Sequence, residues 1–155
     1  MSEKQVRAVK GTHDILPDEV AAWHRIERAA HRLFARYAYR EIRTPVFEET
    51  ALFARGIGNE TDIVSKEMYT FEDRGGESLT LRPEATAGIV RAVIEHHLYQ
   101  TDPALKVYAI GPMCRAENVQ KGRYRQFNQV DVEVFGVTRP SLCVEVIEMA
   151  LVYIE

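Results

Sequence analysis

The chain has 155 residues, of which 46% are hydrophobic and 28% charged, and its net charge is −3. This length suits one domain that buries a sizeable core without a disulfide or metal, and the acidic balance excludes a surface that grips nucleic acid throughout. Because there is no signal-like start, no membrane-length apolar run and no paired cysteine motif, we expect a cytoplasmic protein with reduced thiols.

The first predicted element is a helix that begins at Pro17, since proline is well suited to a first helical turn. Apolar residues then recur every three or four positions and predict one buried stripe: Val20, Trp23, Ile26, Ala30, Leu33, Phe34 and Tyr37. Residues 41–47 follow as an extended piece, in which Pro45 marks a strand end or sheet edge.

Residues 55–62 have the composition of a loop, and residues 68–71 and 78–81 flank a glycine-containing turn that predicts a β-hairpin. Pro83 is expected to open a second helix that runs to about Leu98. Its core candidates are Ile89, Val90, Val93 and Ile94.

Two strand-like runs, 106–115 and 127–135, are joined by a polar stretch, and a last helix with Ser141 as its cap continues to Glu155. This order of elements predicts an α+β fold with a mostly antiparallel sheet flanked by helices. Because the last helix is apolar to its end, we expect the chain to be part of something longer or to complete its core with a partner.

The stretch between these two strands is strongly basic. Arg115, Lys121, Arg123 and Arg125 stand against the single acidic residue Glu117, which gives this stretch a local charge of +3. Each guanidinium group on such a loop could bind two phosphate oxygens at once. A solvated basic loop without a ligand is equally consistent with this composition.

The strand over 127–135 alternates between apolar and polar residues. Val130, Val132 and Val134 fall on one face, whereas Gln129, Asp131 and Glu133 share the other face with Phe127. Because side chains of a strand point alternately to opposite sides, an aromatic ring and two carboxylates would line one surface beside the basic loop. This surface suits a zwitterion and a nucleotide, although a wet strand face needs no ligand.

A third candidate is the turn over 80–86, where a strand hands over to the second helix. Glu84 and Thr86 lie at the mouth of that helix, where a carboxylate could receive a substrate ammonium or complement the helix dipole. The five histidines show no HExxH or Cys-His metal spacing, so no zinc site is predicted.

Taken together, these stretches resemble the histidyl-tRNA synthetase family, a class II aminoacyl-tRNA synthetase, over nearly the whole chain. The resemblance begins with Lys-Gly-Thr-His-Asp-Ile-Leu-Pro at 10–17. Residues 20–53 resemble motif 1, the Leu-Arg-Pro-Glu turn within 80–86 resembles the amino-acid-binding turn, and residues 111–136 resemble motif 2. The resemblance implies one partial catalytic domain over 1–155, without motif 3 or the anticodon-binding domain.

The resemblance also implies roles for single residues. Arg115, as the catalytic residue, would hold the α-phosphate of ATP. The other implied ATP contacts are Glu117, Arg123 and Phe127, with Phe127 stacking on adenine. The implied histidine contacts are Glu84, Thr86, Gln129 and Glu133. Histidine and ATP with Mg²⁺ would give histidyl-adenylate for transfer to tRNA(His), and a homodimer through motif 1 is expected.

Because motif 3 is missing, activity of this chain alone would be weak or incomplete. Two other functions also remain open. The chain could instead be a regulatory module that resembles the synthetase-like subunit of ATP phosphoribosyltransferase. It could also be a structural dimerisation fragment, since the first helix needs a cover.

Overall fold

The computed structural model describes residues 5–56 and 67–155. Within these ranges the chain forms five helices: α1 (Pro17–Arg36), α2 (Thr50–Gly56), α3 (Thr86–Glu95), α4 (Leu98–Thr101) and α5 (Pro140–Ile154). It also forms six strands: β1 (Arg40–Glu41), β2 (Phe47–Glu49), β3 (Tyr69–Glu72), β4 (Ser78–Leu81), β5 (Lys106–Cys114) and β6 (Gln126–Val134).

The strands form two three-stranded sheets. The larger sheet has the order β1-β5-β6, with β1 parallel to β5 and β6 antiparallel to β5, and the smaller sheet is antiparallel with the order β2-β4-β3. The expected α+β fold with a mostly antiparallel sheet is therefore confirmed. The hairpins over 68–81 and 106–135 are confirmed as well, and Pro45 lies between two short strands, as expected.

The two faces of the β5–β6 hairpin carry different cores. On one face the aromatic and β-branched residues Tyr108, Val130, Val132 and Val134 pack against α1 and α5, around the buried Phe34 and Met149. On the other face, Val107, Ala109 and Met113 of β5 pack against Ile89 and Val93 of α3. The hairpin is thus the central layer of the domain, and α3 covers the face on which the polar residues of β6 lie.

The apolar stripe predicted on α1 is buried only in its second half. Ala30, Leu33 and Phe34 are buried, whereas Ile26 is half exposed. In the first half of α5, Glu145 accepts hydrogen bonds from the Tyr39 hydroxyl at 3.0 Å and from Lys106 Nζ at 2.7 Å. These bonds fasten α5 to the segment after α1 and to β5.

The second helix begins at Thr86, so the prediction that Pro83 opens it is wrong. A helix from Pro83 would need a bond from the Ala87 N–H to the Pro83 carbonyl. Here the Pro83 carbonyl accepts from Arg115 Nε at 2.8 Å, and the Ala87 N–H donates to Glu84 Oε1 at 3.0 Å. The side chains of Arg115 and Glu84 therefore occupy the acceptor and the donor that this helical bond would need.

Three smaller expectations also differ from the structure. Ser141 is not a cap, because α5 begins at Pro140 after Arg139 and has no side-chain cap bond. Ile94 is exposed near the end of α3, which is buried through Ile89, Ala92 and Val93 instead. Of the loop expected over 55–62, residues 55 and 56 end α2, and residues 57–62 lie outside the described ranges.

No helix in the described ranges is both long and apolar enough to cross a membrane.

Candidate functional site

Strand β6 brings its polar residues to one face, as the alternation predicts. Phe127, Gln129, Asp131 and Glu133 pair with Met113, Gly111, Ala109 and Val107 of β5. Directly paired residues of antiparallel strands point to the same side of the sheet. The polar side chains therefore share the α3 side of the hairpin with the core residues of β5, and the valines of β6 pack on the opposite side.

Arg115 follows β5 and is fixed from two sides. Its Nε donates to the Pro83 carbonyl at 2.8 Å, and its guanidinium carbon lies 5.1 Å from the centroid of the Phe127 ring. A cation over an aromatic ring is stabilised by the electron-rich ring face. The side chain nevertheless remains 35% exposed, so its terminal nitrogens can reach a ligand.

Glu117 lies between two arginines of the basic loop. Its carboxylate is 3.9 Å from Arg115 Nη1 and 3.5 Å from Arg123 Nη1, while its side chain is only 14% exposed. Arg123 is mostly exposed, and Gly122 before it has a φ of +79°, a value that favours glycine. The loop thus holds two guanidinium groups on either side of one carboxylate, next to Phe127.

The residues implied for histidine lie around the start of α3. Thr86 Oγ1 donates to Glu133 Oε1 at 2.6 Å, which joins the helix to β6. Glu84 Oε1 accepts from the Ala87 N–H, so this carboxylate does serve the mouth of the helix. Each carboxylate has a second oxygen with which it could accept a hydrogen bond from a ligand.

Gln129 is held by a residue that the sequence analysis placed on this face without giving it a role. Its Nε2 donates to Asp131 Oδ1 at 2.6 Å. Gln129 Oε1 and Asp131 Oδ2 are buried, and neither has a hydrogen-bond partner within the described residues. Burial, together with the neighbouring Glu84 and Glu133 carboxylates, raises the pKa of Asp131 to about 6. Buried acceptors without donors indicate a place that an N–H-rich, cationic ligand would satisfy.

A buried arginine beneath this surface was missed by the sequence analysis. Arg82 donates from Nε to the Pro112 carbonyl and from Nη1 to the Thr44 carbonyl, both at 2.9 Å. It is 7% exposed, and burial lowers its pKa. A Cβ on Gly111 would lie 2.5 Å from Arg82 Nη2, so any larger residue there would force this guanidinium to shift. The only sequence signal was its place before Pro83 in the 80–86 turn.

Within the part of the chain that the structure describes, no three His, Cys, Asp or Glu residues come together in a group that could hold a metal ion.

Comparisons with known proteins point to one family. The family model described as histidyl-tRNA synthetase matches residues 11–155. A histidine–tRNA ligase of Solibacter usitatus is 58% identical over 146 residues, which are 94% of this chain and 35% of that protein. One of Pelobacter propionicus is 54% identical over 144 residues, with 93% and 35% covered. The chain therefore spans about a third of the length of the curated relatives that it matches.

Solved structures share the fold. The apo histidyl-tRNA synthetase of S. aureus superposes with a TM-score of 0.80 at 43% identity, over 96% of this chain and 34% of that one. A Bacillus halodurans protein described as an ATP phosphoribosyltransferase regulatory subunit/histidyl-tRNA synthetase superposes with a TM-score of 0.82, over 99% of this chain and 38% of that one. Its identity is 23%, so this likeness concerns the fold alone.

Proposed function

Because the chain belongs to the histidyl-tRNA synthetase family, we propose that it is the ATP- and histidine-binding part of a histidine–tRNA ligase. Residues 1–155 would form one partial catalytic domain, with motif 1 over 20–53, the amino-acid-binding turn over 80–86 and motif 2 over 111–136. The observation that carries the proposal is the fixed guanidinium of Arg115, which lies over Phe127 on the sheet face that also holds Gln129 and Glu133.

The proposed reaction is the activation of histidine. A carboxylate oxygen of histidine attacks the α-phosphorus of ATP, the bond from that phosphorus to the β-phosphate oxygen breaks, and pyrophosphate leaves. Two anions must approach each other in this step, so a positioned cation lowers the barrier. Arg115 provides that cation at the α-phosphate. It is held by a neutral carbonyl and a ring, and its ion pair with Glu117 is a long one, with 3.9 Å between the carboxylate and Nη1.

The remaining loop residues bind the nucleotide. Phe127 stacks on adenine, while Glu117 and Arg123 contact the adenine side and the outer phosphates. Mg²⁺ is expected to accompany ATP, and the charge that it supplies neutralises the phosphates. Magnesium is commonly held by one or two carboxylates together with phosphate oxygens and water.

Histidine lies at the other end of the same surface. Its α-ammonium donates to Glu84, Thr86 and Gln129, and Glu133 accepts from an imidazole N–H. Support comes from the bond between Thr86 and Glu133, which joins α3 to β6, and from the buried Gln129 Oε1. A ligand ammonium with three N–H groups would satisfy these acceptors, whereas an apolar ligand group in the same place would leave them unpaired.

The finer biological setting is proposed as well. The whole protein would work in the cytoplasm, and tRNA(His) would be its second substrate. A homodimer through motif 1 is proposed because Val46 and Phe47 of that segment are each close to half exposed. Light scattering tests this point, and a strict monomer at micromolar concentration would rule it out.

A test of the proposed activity is histidine-dependent exchange of pyrophosphate into ATP. Arg115→Ala should lower the exchange rate by roughly 100-fold or more, as the loss of a positioned charge does. The matched control is Arg40→Ala, which removes an exposed arginine paired with Asp102 at 2.9 Å and should leave exchange unchanged. Equal exchange in both variants would contradict the proposed role of Arg115.

The same assay separates the regulatory alternative. A non-charging module that resembles the ATP phosphoribosyltransferase subunit would bind histidine without any ATP-dependent exchange. Calorimetric titration of histidine, run beside the exchange assay, therefore distinguishes the two functions. Binding with exchange supports the ligase, and binding without exchange supports the regulatory module.

A further inference from the structure

The N-terminal segment reaches across to the basic loop. The Gly11 carbonyl accepts from the Arg125 N–H at 2.7 Å and from the Gln126 N–H at 3.4 Å. The Arg125 carbonyl in turn accepts from the Arg115 N–H at 2.9 Å. Gly11, Arg125 and Arg115 are therefore joined by successive backbone bonds, so the base of the loop is held by a segment more than 100 residues earlier in the chain.

Position 11 favours glycine over any residue with a side chain for two reasons. Its φ is +89°, a region that L side chains adopt only with strain. An added Cβ would also lie 2.6 Å from Val119 Cγ2 and 2.8 Å from Arg125 Cγ. Val119 belongs to the outgoing limb of the loop and Arg125 to the returning limb. Gly11 thus touches both limbs at a distance that leaves no room for a side chain.

A second contact lies two residues further on. The ring centroid of His13 is 5.2 Å from that of Tyr124, with the planes tilted by 53°. Within the loop, Arg123 N–H donates to the Gln120 carbonyl at 2.9 Å, and Arg125 Nε donates to the Glu117 carbonyl at 3.3 Å. The segment over 11–13 therefore adds backbone bonds and a ring contact to a loop that has few internal bonds among those described.

We propose that Gly11 is a positioning residue, which fixes the loop over 115–126 in the shape that its arginines need to bind ATP. The inference rests on the proposed function, because it assigns the arginines to phosphates. An unrestrained loop must be ordered when ATP binds, and this ordering weakens binding. Histidine binding should not depend on Gly11, since Glu84 lies in the turn before α3 and Gln129 and Glu133 lie on β6.

The test compares Gly11→Ala with Gly76→Ala. Gly76 has a φ of +86°, but a Cβ there would meet nothing within 4 Å, and it lies in the β3–β4 turn. The control thus carries the same backbone strain without the loop contact. Calorimetry with a non-hydrolysable ATP analogue and Mg²⁺ should show affinity reduced roughly 10-fold or more in Gly11→Ala. Histidine affinity should change less than about twofold, and Gly76→Ala should match the wild type in both titrations.

Two further measurements keep the proposal testable if the first variant does not fold or if the wild type binds no ATP. His13→Ala, compared with the exposed His24→Ala on α1, removes the ring contact and should weaken ATP binding in the same direction. Amide hydrogen exchange reports on the loop without any ligand. Exchange over 115–126 should be faster in Gly11→Ala than in Gly76→Ala, or, where Gly11→Ala does not fold, faster in His13→Ala than in His24→Ala.

The outcomes separate the two proposals. If the wild type binds neither ATP analogue nor histidine, the proposed function fails, and loop exchange still decides whether Gly11 holds the loop. If the wild type binds both, but Gly11→Ala binds ATP normally or loses both ligands equally, the positioning role of Gly11 is overturned. Unchanged loop exchange in the variant compared with its control would overturn it as well.

Discussion

The two faces of strand β6 differ in what they contribute. Val130, Val132 and Val134 pack beneath α1 and α5, and this face buries Phe34 and Met149 almost completely. The opposite face carries Gln129, Asp131 and Glu133. Gln129 and Asp131 each have a buried acceptor without a described partner, and the pKa of Asp131 is raised. One strand thus contributes stability on one side and leaves polar groups unsatisfied on the other, a pattern expected where a binding site is built on a rigid element.

The largest effect is expected from a substitution that disrupts packing on the apolar face. Phe34→Ala removes a ring that is 3% exposed and packs against Tyr108 at 4.7 Å between centroids. The free energy of unfolding, measured with urea, should fall by about 3–5 kcal/mol. Ligand affinity should stay the same under conditions in which the variant is folded. A similar fall in affinity for folded protein would show that the two faces are not separable.

The next largest effect is expected from a substitution on the polar face. Glu133→Gln removes the charge that accepts from Thr86 at 2.6 Å, and we expect histidine affinity to fall roughly 10-fold or more, as for the loss of a charged hydrogen bond. Glu95→Gln on α3 is the matched control, since this exposed carboxylate pairs only with Arg91 among the described residues. Calorimetry should show wild-type affinity for the control. Equal affinity in both variants would remove Glu133 from the site.

The smallest expected effect concerns how the stability of the polar face depends on pH. The pKa of Asp131 is about 6 when folded, above its ordinary value of 3.8, so the folded state binds the extra proton more tightly than the unfolded state. Stability from this group is therefore present below pH 4 and is lost as pH rises through about 6. At pH 7, Asp131→Asn should raise stability by about 1 kcal/mol, a value reduced for solvent screening.

Urea unfolding of wild type and Asp131→Asn at pH 4 and pH 7 measures this difference. The gain should shrink towards zero at pH 4, where the aspartic acid is itself neutral. A variant that is less stable than the wild type at pH 7 would show that Asp131 is structurally satisfied rather than strained by burial.

Sequence reasoning predicted the two faces because alternation along a strand is a local property. The valines and the polar residues of β6 occupy the two sides that their spacing indicates. The family resemblance supplied the residues proposed to bind ligands, and the structure places them around α3, β6 and the basic loop. Their roles as ligand contacts remain predictions.

The features that sequence reasoning missed depend on distant partners. The start of α3 was misplaced because Arg115, 32 residues away, takes the Pro83 carbonyl. Arg82 was not expected in the core, because its burial depends on distant acceptors, among them the carbonyls of Thr44 and Pro112. The close approaches at Gly11 and Gly111 involve residues far along the chain. None of these partners can be read from local spacing.

One measurement tests most directly whether the basic loop and the polar face of β6 form a single site. In calorimetric titrations of this chain, a non-hydrolysable histidyl-adenylate analogue should bind at least roughly 100-fold more tightly than AMP or histidine alone, because one molecule then occupies both halves at once. An analogue that binds no more tightly than the better of its two halves would contradict a single site.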